Sequence, residues 1–208
     1  MGSNSQVFEF QTELLRQALG PQHEYEFVDG TIECDPTPDI ATSFPTCHKY
    51  YSYFEREPNS INAALDDLEE YLTTNGPFDG IWGISQGAML AATYLARRYP
   101  KALEHSSYQS IKCAIFICAM PLCILDDGDP RLATSDIEGE LVRIPTAHIY
   151  GALDPSYEKS ISLKSRCRKD LALAFDHGGG HELPRSHEKT TGMAETVAKT
   201  IDQALLGA

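Results

Sequence analysis

At 208 residues, 42% of them hydrophobic and 23% charged, the chain is long enough to bury one substantial core and too short for two comfortable domains, so a single domain over residues 1–208 is expected. The formal net charge of −13 is spread along the sequence, which argues for solubility and against nucleic acid as a partner. No run approaches the roughly 18 to 20 apolar residues of a membrane span, and the start MGSNSQVFEF has neither a basic region nor an apolar signal core, so a cytoplasmic protein with no membrane partner is expected.

Along the chain, short apolar runs alternate with helical patterns, the signature of an α/β fold with a parallel sheet flanked by helices. Residues 8–19 (FEFQTELLRQAL) predict a helix stopped at Gly20-Pro21, and EYEFVDG then alternates like a strand. An aromatic-rich loop follows through Phe44, Tyr50, Tyr51, Tyr53 and Phe54, a candidate wall for an apolar pocket. Ile61, Leu65, Leu68 and Leu72 share one helical face, and Asn75-Gly76-Pro77 ends that helix. FDGIWGISQGAMLAATYLARRYP predicts a short strand, a glycine-framed serine and a helix. IKCAIFICAM, IPTAHIYGALDP and LALAFDHGGGH predict three more strands, each opening into a polar or glycine-rich loop. Met193, Val197, Ile201 and Leu205 form the apolar stripe of a closing helix. Of six cysteines, Cys113, Cys118 and Cys123 lie in or beside an apolar run, so reduced thiols are expected; no CxxC pair suggests zinc, and no metal or cofactor is expected.

Gly83-Ile84-Ser85-Gln86-Gly87 is a GxSxG motif, whose glycines permit a sharp turn that lifts a serine hydroxyl clear of a sheet. Its place between strand and helix puts the Gln86 amide at a helix N-terminus, aimed at a developing oxyanion. A neutral serine needs a base in reach, and the base needs a carboxylate to hold its tautomer. The chain order Ser, acid, His is met by Ser85, by Asp154 just past IPTAHIY, and by His181 just past LALAF. Asp126, Asp127 and Asp129 read as turn residues that compete weakly with Asp154. His177 competes with His181 but reads as packed beneath the glycines, and His148 reads as a core histidine. A metal site on His177 and His181 lacks obvious further ligands.

These residues resemble the fungal family of small serine hydrolases that includes thioesterase-like enzymes of polyketide gene clusters, such as the lovastatin product-release hydrolase. The resemblance rests on SNSQVFEFQTELLRQAL, FVDGT, YFE, GPFDGIWGISQGAMLA, YGALDP and GGGHELP, in that order over nearly the whole chain. It implies an α/β-hydrolase fold with helices on both faces of a mostly parallel sheet and a minimal cap. It also implies a triad of Ser85, Asp154 and His181, and hydrolysis of acyl esters or thioesters. In the polyketide cases the substrate hangs on an acyl carrier protein, a partner that an acidic protein would meet only through a local basic patch such as Arg97, Arg98, Lys101 or the Lys164–Lys169 cluster. A general small-ester carboxylesterase and a non-catalytic binding protein on the same scaffold are the alternatives.

One departure from the family pattern bears on the fold. Family members begin with an apolar strand leading into a His-Gly loop that supplies a second oxyanion amide, whereas this sequence starts inside that loop at Met1-Gly2-Ser3-Asn4. The first strand is therefore expected to be missing, with a gap in the sheet between EYEFVDG and FDGIWGIS. The expected oxyanion donors are the amides of Gln86 and Gly2.

Overall fold

The structure is a computed structural model and describes residues 1–44, 49–55, 57–97, 111–126, 129–132 and 139–206. Helix α1 (Ser5–Leu19) begins earlier than the hydrophobic pattern suggested, because Asn4 caps it by accepting the Val7 N–H at 2.9 Å. Gly20, at φ 93°, ends it, a backbone conformation that glycine adopts without steric cost. Strands β1 (Ile32–Cys34) and β2 (Tyr50–Ser52) form an antiparallel ribbon on either side of the short helix α2 (Pro38–Ser43). Helix α3 (Pro58–Asn75) then buries Ile61, Ala64 and Leu65.

The central sheet is built from β3 (Gly80–Ile84), β4 (Cys113–Ile117), β7 (Thr146–Tyr150) and β8 (Ala172–Asp176), all parallel and hydrogen-bonded in that order. Every residue of β4 and β7 is buried, as expected of strands covered on both faces. Their alternation divides the core. Ala114 and Phe116 face one cluster with Leu65, Leu90 and Ala91, from α3 and from α4 (Gln86–Arg97). Ile115 and Ile117 face the other with Leu15, Met193 and Val197, from α1 and the C-terminal helix α6 (His187–Leu206). Helix α5 (Tyr157–Lys164) lies between β7 and β8 in sequence. Among the described residues no helix is long and apolar enough to cross a membrane.

Two sequence-based expectations need correction. Residues 24–30 keep the alternating burial of a strand, with Tyr25 and Phe27 half-buried between more exposed neighbours, yet form no strand. The physical reason is the lack of a ladder partner. The edge of β3 away from β4 pairs with nothing among the described residues, and a groove of about 910 Å³ separates it from the 24–30 segment. Helices α1 and α6 supply Phe8 and Ile201 to one wall of this groove, and α3 and α4 supply Leu68 and Leu90 to the other. The second correction concerns Asp126 and Asp129, expected as turn residues: they are strand ends facing each other where β5 (Cys123–Asp126) pairs antiparallel with β6 (Asp129–Leu132). Asp127 lies outside the described residues.

Candidate active site

All four strands of the central sheet run the same way, so the loops that follow them gather at one edge. Ser85 directly follows β3, Cys118 follows β4, Asp154 lies four residues beyond β7, and His181 lies five beyond β8. Ser85 sits at φ 53°, in the left-handed region that a non-glycine residue enters only when its surroundings hold it there. Two contacts hold it. Its N–H donates to the Ile117 carbonyl at 2.9 Å, and its own carbonyl accepts from Met89 N–H at 3.2 Å in the first turn of α4. Gly83 makes the turn possible, because a Cβ there would lie 2.5 Å from the Gly87 carbonyl carbon and 2.6 Å from Ala88 Cα. Helix and strand approach backbone to backbone, leaving no flexible atom to yield.

The acid and base loops are stitched to one another. Asp176, the last residue of β8, accepts the N–H groups of Ala152 and Gly178 through one carboxylate oxygen, at 3.0 and 2.7 Å. Leu153 N–H donates to Gly179 O at 3.0 Å. A Cβ at Gly151 would strike Gly179 O, so this glycine permits the close approach of the two loops. The outcome is a 2.8 Å contact between Asp154 Oδ2 and His181 Nδ1. The Asp154 side chain is fully buried, and its other oxygen accepts Ser156 N–H at 2.6 Å. His181 keeps 37% of its side chain exposed, which leaves the imidazole open to solvent on one side. Among the described residues Ser85 Oγ makes no hydrogen bond with His181.

Of the two expected oxyanion donors, Gln86 occupies the first position of α4, where an amide has no acceptor within its own helix. Gly2 is a correction. Its N–H is spent on Tyr51 O at 3.0 Å, and its backbone packs against Asp35 and Thr37, so in this arrangement it has no amide to offer. The Gln86 side chain has a role the sequence did not announce. Its Oε1 accepts Tyr53 N–H at 3.0 Å and its Nε2 donates to Phe54 O at 2.8 Å, clamping the aromatic loop onto the start of α4.

Of that loop, Tyr53 reaches the groove beside β3, while Tyr50 and Phe54 are core residues and Phe44 packs edge-on against Phe10. Burial and the nearby Asp29 charge push the Tyr53 phenol up to about 12, and its hydroxyl donates to Val28 O at 2.8 Å. Residues 45–48 of the loop lie outside the described residues, as do Arg98 and Lys101.

His177 is buried beneath the glycines, accepting Gly179 N–H through Nδ1 at 3.2 Å, and burial lowers its pKa. His148 is buried in β7 with Nε2 3.0 Å from Thr146 Oγ1; burial first, then the Lys164 charge, depress its pKa to about 3. Cys118 was read from sequence only as a buried thiol. Among the described non-glycine residues it shares positive φ with Ser85, at 44°, and its Sγ lies within 4.8 Å of the Asp154 carboxylate and of a ring nitrogen of His181. Nothing in the pattern ICAMP marks it, because its neighbours at the site come from two other strands. The five described cysteines are free.

The chain is similar to known proteins over its whole length. The family described as serine hydrolase (FSH1) matches residues 1–193. An esterase of Fusarium mangiferae named FPY3 is 38% identical over 214 aligned positions, covering 100% of this chain and 96% of that protein. A fungal hydrolase named phiM, from Fungal sp. (strain ATCC 74256), is 32% identical over 189 positions, covering 88% of this chain and 82% of its own length. Among solved structures, the Bacillus cereus carboxylesterase superposes with a TM-score of 0.59 at 16% identity, over 96% of this chain and 84% of that one, a likeness of fold.

Proposed function

Because this chain belongs to the serine hydrolase (FSH1) family, we propose that Ser85 is its nucleophile, His181 its general base and Asp154 the carboxylate that orients the base. The observation that carries the reading is the 2.8 Å contact of buried Asp154 with His181 Nδ1, at the sheet edge where Ser85 is held in a left-handed turn. Asp154 accepts a hydrogen bond from Nδ1–H, which leaves the Nε2 lone pair of His181 to accept the Ser85 proton as Oγ attacks an acyl carbonyl. The Gln86 N–H donates to the oxyanion, assisted by the N-terminal end of the α4 dipole. The leaving group departs with the proton from His181, and the same imidazole then draws a proton from water to release the acid from Ser85. This chemistry needs no metal and no cofactor.

The enzyme is an esterase by family; the finer reading is an esterase or thioesterase of fungal secondary metabolism, working in the cytoplasm on acyl esters or on chains carried by a polyketide acyl carrier protein. The support for it is the ordered set of motifs shared with the polyketide-release hydrolases. Treatment with a fluorophosphonate followed by intact-mass spectrometry tests the nucleophile: one adduct is expected on the wild type and none on Ser85→Ala. An adduct that survives in Ser85→Ala, or that never forms on the wild type, refutes the assignment. Comparison of 4-nitrophenyl esters with acyl thioesters of matched chain length separates a general carboxylesterase from a thioesterase.

A further inference from the structure

We propose that Cys118, Asp154 and His181 together form an inhibitory site for a thiophilic divalent cation, zinc or cadmium, that switches the hydrolase off. Sγ of Cys118, a carboxylate oxygen of Asp154 and a ring nitrogen of His181 all lie within 4.8 Å of one another, and Nδ1 is the nitrogen that touches Asp154, 2.8 Å from Oδ2. They are a soft thiol, an imidazole and a carboxylate, a set that suits zinc, whereas magnesium and calcium take oxygen donors and do not favour the thiol and imidazole. The thiol is held in place: Cys118 N–H donates to Ile149 O at 2.8 Å, and Sγ leans on the Glu182 carbonyl at 3.7 Å. Asp154 is anchored by Ser156 N–H at 2.6 Å, while the partly exposed His181 gives an ion its entry from solvent.

Zinc at about 2.0–2.3 Å from each donor in a tetrahedron needs donors roughly 3.3–3.7 Å apart. The Asp154–His181 contact, now 2.8 Å, opens by about half an ångström, and the Sγ distances close by up to about one. Small rotations of the exposed imidazole and of the thiol supply both, with water as the fourth ligand. Charge favours the arrangement, since thiolate and carboxylate together neutralise the dication in a buried place. Binding releases one proton to solvent, from Cys118 Sγ, and the single proton of neutral His181 moves from Nδ1 to Nε2. His181 then has no lone pair on Nε2 to receive the Ser85 proton, so metal binding and acyl transfer exclude one another. The inhibitory consequence rests on the triad reading above; the binding does not.

Two measurements on the intact protein test the two halves separately. In the first, 4-nitrophenyl acetate hydrolysis is followed against zinc or magnesium for the wild type, Cys118→Ala and Cys118→Ser, each normalised to its own metal-free rate. In the second, cadmium is titrated while the ultraviolet thiolate-to-cadmium absorbance is recorded. Zinc is expected to suppress wild-type hydrolysis while magnesium does not, and both variants should require roughly tenfold more zinc or beyond, as loss of one of three protein ligands implies. The cadmium band of the wild type should fall by one thiolate's worth in either variant, including any that is inactive. Equal zinc sensitivity in wild type and variants, or a cadmium band that the substitutions leave unchanged, overturns the proposal. A wild type that hydrolyses no ester yet loses its cadmium band on substitution upholds the ion site and removes the hydrolase reading alone.

Discussion

Replacing Asp154 by Asn changes one atom of the site, and the surrounding bonds dictate which one. Oδ1 of Asp154 accepts the Ser156 N–H at 2.6 Å, so the asparagine carbonyl must occupy that position and its NH₂ must face His181. At 2.8 Å the NH₂ needs an acceptor on Nδ1, which forces the imidazole proton onto Nε2, the atom that has to receive the Ser85 proton. Shape and burial are preserved while the tautomer is reversed. The expected loss in kcat is of order 10⁴, about 5.5 kcal/mol of transition-state stabilisation. The assay is steady-state hydrolysis of 4-nitrophenyl acetate by Asp154→Asn and wild type, with thermal unfolding of both to show that the fold is kept. A folded variant whose kcat stays within about tenfold of wild type would refute the orienting role of Asp154.

Two other perturbations reach the elbow and the core. Gly83→Ala should cost about 1–3 kcal/mol, because the new Cβ meets the Gly87 and Ala88 backbone at 2.5–2.6 Å and must push α4 off β3; urea unfolding reads the loss, and an unchanged midpoint would mean the turn has slack. His148 predicts acid sensitivity. Its folded pKa of about 3 lies below the ordinary histidine value of 6.5, so the unfolded chain binds the extra proton, and stability that is complete above neutrality falls as pH drops through 6.5 toward 3. By pH 5 the loss from this residue alone is about 2 kcal/mol. His148→Gln should remove that much of the difference in unfolding free energy between pH 7.5 and pH 5, and an identical pH dependence in the two proteins would show that His148 ionises freely in the fold.

The strands β3, β4, β7 and β8 and the helices α1, α3, α4 and α6 were legible in the sequence, since burial on one or both faces writes a period of 2 or 3.6, or an unbroken apolar run, into the residues themselves. The gathering of Ser85, Asp154 and His181 at one edge of the sheet was legible for a related reason: a parallel sheet sends every strand-end loop to the same edge, so order and loop position stand in for distance. The alternation of residues 24–30 was also legible, and it misled, because periodicity reports which side of a segment is covered, whereas a strand exists only where a neighbour completes the ladder. Gly2 misled likewise: adjacency to a motif says nothing about where an amide points, and Tyr51, 49 residues away, accepts it. The positions of Cys118 beside Asp154, of Asp176 bridging two loops and of the Gln86 side chain across the aromatic loop were decided by the tertiary structure alone. Each joins residues from separate strands or loops, and contact across strands leaves no period in a single chain.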